Sequence, residues 1–79
     1  MVKVDKLIGK TLGELAEQFG VFWKIVRIFV LEDKDDDTGK LLMDAYSIRE
    51  VVKRFPSFAD AEVVIAYDFY GETIIRVRA

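Results

Sequence analysis

Two stretches of this chain follow one plan: a helix-opening box, an apolar helical face, then a run of β-branched and aromatic residues. Thr11-Leu12-Gly13-Glu14 and Ser47-Ile48-Arg49-Glu50 each set a hydroxyl three residues before a carboxylate. At that spacing the hydroxyl oxygen accepts from the third helical N–H and the carboxylate reaches back to the cap's own N–H. Leu12, Leu15, Ala16 and Phe19 follow the first box, and Ile48, Val51, Val52 and Phe55 follow the second. This i, i+3, i+4, i+7 spacing is one side of a helix, so helices are predicted over 12–19 and 48–55.

Gly20 suits the left-handed position that closes the first helix, and Pro56 stops the second at Phe55 because the residue before a proline is pushed out of the α region. Strands are predicted over 21–31, 40–46, 62–69 and 73–78, with 40–46 the weakest pattern. Val2-Lys3-Val4 reads as a short edge strand, and Gly71-Glu72 as a tight turn with glycine where φ is positive. The order helix, strand, strand therefore occurs twice. It predicts an α+β domain: a two-layer sandwich of a mainly antiparallel four-stranded sheet with two short helices on one side, in a pseudo-repeat αββ-αββ.

With 79 residues and 52% hydrophobic content, the chain is expected to be one domain with a core of its own. It contains neither cysteine nor histidine. Disulfides, thiolate metal sites, thiol nucleophiles and the commonest general base are thereby excluded. Ser47 and Ser57 have no histidine to activate them, and the lysines and carboxylates are too dispersed to form an acid–base pair. Gly9-Lys10-Thr11 matches only the end of a phosphate-binding loop and lacks the upstream glycine. The expectation is a non-enzymatic protein with no cofactor or metal. Its apolar runs are too short or too charged to span a bilayer, and the first residues lack a signal-peptide core, so a cytoplasmic location is expected.

Charge is unevenly distributed. Residues 32 to 37 hold five acids and one lysine, net −4, so the remainder carries +2 against a total of −2. Asp33, Asp35, Asp37 and Asp44 fall at calcium-loop positions 1, 3, 5 and 12, but Thr38 replaces the glycine required at position 6. A solvated loop that keeps a hydrophobic hairpin soluble is the plainer reading. Arg49, Lys53 and Arg54 on the second helix, with Arg76 and Arg78 near the C-terminus, are the candidate contacts for nucleic acid. Here too the solvated face of an amphipathic helix, with Glu50 and Arg54 as an i, i+4 pair, is the plainer reading, because no aromatic is interleaved and the pI is low.

The run from Val21 to Leu31 is apolar on both of its alternating sides, whereas two helices of about two turns each cover roughly one face of a four-stranded sheet. Something else is expected to cover the second face. Trp23, Ile25, Phe29, Tyr67 and Phe69 are the candidate interaction residues. The expected function is a protein-interaction module acting through that face or a strand edge, with a homodimer as the simplest assembly. A nucleic-acid-associated regulator is the alternative.

Overall fold

The computed structural model describes residues 4–18, 21–33, 35–36 and 38–78, with backbone alone at 4–5 and 21–24. The first box closes reciprocally: the Thr11 N–H donates to Glu14 Oε1 and the Glu14 N–H to Thr11 Oγ1, both at 3.1 Å. It opens α1, Leu12–Gln18. In the second box Ser47 Oγ accepts from the Arg49 N–H at 3.1 Å, opening α2, Ile48–Arg54. Phe55 leaves the helical region at φ −128° and ψ 68°, and Pro56–Phe58 then forms a 3₁₀ turn. Phe19 and Gly20 lie outside the described residues.

The strands are β1 Val21–Leu31, β2 Lys40–Ser47, β3 Glu62–Phe69 and β4 Glu72–Arg78. They lie in the order β2-β1-β4-β3. Each hairpin is antiparallel, and the two hairpins meet along a parallel β1–β4 seam. The fold is α+β, with a mixed, mostly antiparallel sheet. The αββ order occurs twice along the chain, but the two units are not equivalent in the sheet. The first unit places its leading strand inside, and the second its trailing strand.

The core lies between sheet and helices. Val26 and Ile28 of β1, Ala45 of β2, Val63 of β3 and Ile75 and Val77 of β4 meet Leu12, Leu15 and Ala16 of α1 and Ile48 and Val51 of α2. Leu7 joins them, fully buried. It ends a 3₁₀ turn, Val4–Leu7, that begins where an edge strand was expected at its last residue; Val2 and Lys3 lie outside the described residues. The chain after this turn lines the start of β3. The Gly9 N–H donates to Val63 O and the Val63 N–H to Lys10 O, both at 2.8 Å, beside a Thr11–Glu62 bridge.

Two local departures from the sequence reading follow from irregular pairing. Simple alternation along 40–46 groups Leu41 with Met43 and Ala45, on the side away from Leu42, Asp44 and Tyr46, but the β1–β2 register slips between Ile28/Met43 and Phe29/Leu41. A bulge changes which side the following residues take. Leu42 therefore packs against the core while Leu41 stays exposed opposite Phe29. The β3–β4 turn is Tyr70-Gly71, one residue earlier than read, because Glu72 already pairs with Phe69. Both turn residues have positive φ, 47° and 80°, as a type I′ hairpin turn demands.

Candidate interaction face of the sheet

Alternation from the core positions turns Ile25, Arg27, Phe29 and Leu31 of β1 and Glu72, Ile74, Arg76 and Arg78 of β4 to the helix-free side. Tyr67 pairs with Ile74 and Phe69 with Glu72, so both lie on that side as well. Four of the five interaction residues expected from sequence, Ile25, Phe29, Tyr67 and Phe69, are thus brought onto one face. Trp23 lies on β1, where the structure gives backbone alone.

One end of this face is closed by the acidic β1–β2 loop. The Asp36 carboxylate accepts from the backbone N–H groups of Glu32, Thr38 and Gly39 at 2.9 to 3.2 Å. The Glu32 and Gly39 amides, followed by Thr38, hold its pKa below the ordinary carboxylate value. Asp33 Oδ1 accepts from the Asp35 N–H at 2.9 Å in the same manner. Gly39 turns the chain back at φ 77°, so near β1 that a Cβ there would lie 2.7 Å from Val30 O. No residue but glycine fits that position without displacing the strand.

Two arginines fasten the loop to the sheet. Arg76 Nε donates to Thr38 O at 3.0 Å and Nη1 to Tyr67 Oη at 3.0 Å. Its guanidinium lies 5.2 Å from the Phe29 ring centroid and 5.6 Å from that of Tyr67. Arg78 Nη1 donates to Asp33 O. On this same side Leu31 and Ile74 are only 4% and 6% exposed, although no helix covers it. In the middle of the face, Arg27 sits between Glu72 (Nη2 to Oε1, 3.3 Å) and Asp44 (Nε to Oδ1, 3.5 Å). Its Nε is shut off from solvent and makes no hydrogen bond, so the longer contact is an ion pair only.

The other end is open. Among side chains the structure describes, six large apolar ones are exposed, and five of them, Leu41, Tyr46, Tyr67, Phe69 and Tyr70, belong to this face or to its hairpin tip. The sixth, Ile8, is elsewhere.

The basic residues expected as nucleic-acid contacts do not form one patch. Arg76 and Arg78 lie under the acidic loop, while Arg49, Lys53 and Arg54 are on α2 in the opposite layer. Arg49 is committed further, its Nε donating to Ala16 O near the end of α1 at 2.9 Å. Glu50 makes no ion pair among the described residues. The calcium-spaced set is likewise divided: Asp44 is on β2 against Arg27, Asp33 faces its own loop, and Asp37 lies outside the described residues. Asp36, which organises the loop, was not singled out from the calcium spacing. Its signal is an aspartate two and three residues before Thr38-Gly39, the arrangement in which a carboxylate caps a turn. No described helix is long and apolar enough to cross a membrane. No protein-family model, curated protein or solved structure matches this chain.

Proposed function

We propose that the protein is a non-enzymatic interaction module, working in the cytoplasm, whose helix-free sheet face holds a second copy of itself or another protein chain. The supporting observation is the concentration of exposed large side chains on that face: five of six among those described. Scattered apolar residues are ordinary on a protein surface, whereas their concentration on one face marks a candidate contact site. Here Leu41 and Tyr46 stand on one edge strand and Tyr67, Phe69 and Tyr70 on or beside the other, with the Arg27 ion pairs between them. The face is favoured over a strand edge because both edges carry features that discourage strand addition. On β2 these are the bulge at Leu42 and the neighbouring acidic loop, and on β3 they are the irregularity at Val64 and the chain segment lining its start.

Light scattering over a concentration series tests the self-association arm, with the paired variant Tyr46→Ser and Phe69→Ser as control. Both side chains are exposed, so the variant keeps its core. The expected result is a wild-type mass that rises towards the dimer and a variant that stays monomeric. If the wild type stays monomeric and an apolar dye detects no exposed patch, the reading is wrong.

A further inference from the structure

At the β2 edge of the sheet, where the helix-free face meets the start of α2, Ile25, Asp44, Ala45, Tyr46 and Glu50 line a cavity of about 180 Å³. We infer that this cavity is a subsite for one cationic side chain, a primary ammonium or a guanidinium on an alkyl stem, supplied by whatever chain docks on the face. The inference deepens the interaction reading and rests on it for the source of the cation.

Three observations carry it. The cavity is smaller than the roughly 300–1,000 Å³ of clefts that take cofactors and drug-sized ligands, so it suits a single side chain. Its floor is aliphatic, from half-buried Ile25 and buried Ala45, and its rim holds an exposed Tyr46 ring and two carboxylates from different elements, β2 and the first turn of α2. An alkyl stem packs on such a floor while its charged head stays at the wet rim, where an aromatic face adds cation–π attraction.

The carboxylates also have capacity left. Glu50 has no ion pair among the described residues. Among the described residues Asp44 receives only the 3.5 Å contact from an Arg27 Nε that is not hydrogen-bonded to it, and an ionised carboxylate has about four acceptor sites. Among the described residues, neither carboxylate of this rim is fully engaged. The β1–β2 register is irregular beside it, with four β1 residues between Val21 and Val26 against Tyr46 alone between their β2 partners.

The test is a titration of the full chain at low salt with n-butylammonium and with ethylguanidinium, followed through backbone amide shifts of Ala45, Tyr46 and Glu50. n-Butanol and N-ethylurea are the neutral controls. The expected result is saturable binding of the cations only, weakened about threefold to fivefold by Glu50→Gln, the effect of removing one exposed ionic partner. Asp44→Asn provides a second variant with the same expected direction. No saturable shift, equal binding of the neutral probes, or full affinity in both variants would overturn the subsite.

Light scattering of Glu50→Gln then identifies the source. Weakened self-association means that the second copy supplies the cation, and unchanged self-association assigns it to a different protein. A monomeric chain that still binds butylammonium keeps the subsite and removes the face reading; an associating chain indifferent to cations does the reverse.

Discussion

The two faces of β1 solve the same problem differently. On the helix side Val26 and Ile28 are completely buried among aliphatic neighbours, so hydrophobic burial needs no further partner. One residue over, Ile25, Arg27 and Phe29 are only half-covered, and what covers Phe29 is a guanidinium. Carbon packed on carbon satisfies the first face within one chain. The second is held by one arginine laid over two aromatic rings and by ion pairs, and leaves large side chains exposed, so one face stabilises the fold while the other retains surface for contact.

That contrast is sharpest under neighbouring truncations. Ile28→Ala leaves a cavity in the centre of the sheet and is expected to cost about 2–5 kcal/mol, a large share of the stability of a small domain. Phe29→Ala, although it removes more atoms, is expected to cost less than half as much, because the ring is not fully enclosed. Urea unfolding followed by fluorescence of the single tryptophan compares the two. Equal losses would mean that the two faces contribute alike.

Arg76 ranks next. Replacing it by Ala removes donors to Thr38 O and Tyr67 Oη and the cation over two rings. The expected loss is about 1–2 kcal/mol. Arg76→Lys should recover little of it, because a lysine ammonium lacks the planar fork that reaches both oxygens. Faster amide exchange at Thr38 and Gly39 in both variants would show the loop coming free; protection equal to wild type would show that Asp36 alone holds it.

How much could be read in advance differs between the faces for a physical reason. Helix starts, strand spans and the residues of the helix-side core follow from short-range rules: Thr11 with Glu14, Ser47 as a cap, although it accepts from the Arg49 amide, one residue before the position the box sets, and alternation along Val26 and Ile28. The parallel β1–β4 seam does not, since it depends on how α2 carries the second hairpin back across the sheet. Nor does the side taken by Leu41, which one inserted residue decides. On the outer face, alternation grouped Ile25 with Phe29 and Tyr67 with Phe69. The fastening of the acidic loop by Arg76 and Arg78 spans tens of residues and leaves no periodic trace. The same arginines, read locally, suggested nucleic acid.

The helix layer offers a smaller test. Thr11→Ala removes one half of the reciprocal box and is expected to cost about 1 kcal/mol by thermal unfolding. The Thr11 backbone amide, followed by its hydroxyl, holds the Glu14 pKa below the ordinary carboxylate value. Asp36 is shifted in the same direction by its loop amides. A carboxylate depressed in the folded state adds stability that is fully present above its unfolded pKa and is lost as pH falls through the folded one. Stability should therefore decline from the ordinary carboxylate range downward, less steeply in Glu14→Gln and Asp36→Asn. Both groups are at the surface, so salt should blunt the effect. An unchanged acid limb in both variants would remove their part in it.

The smallest expected effect has the opposite sign. Tyr70 occupies the first position of the type I′ turn at φ 47° with its side chain 92% exposed. A residue with a Cβ is strained there by about 1 kcal/mol or more, and asparagine is preferred because its short polar side chain bonds locally. In return, tyrosine gives one edge-to-face contact with Phe69, at 4.6 Å between centroids, a type of contact worth about 0.5–1.5 kcal/mol and at the low end for a ring this exposed. Tyr70→Asn should therefore stabilise the isolated chain slightly, by about 0.5 kcal/mol, with a matching rise in Tm. If the tip belongs to the contact face, the same variant should weaken association while strengthening the fold. Less stability would instead show the ring pair outweighing the backbone strain. A gain in stability with association intact would confine the contact face to Tyr46, Tyr67 and Phe69.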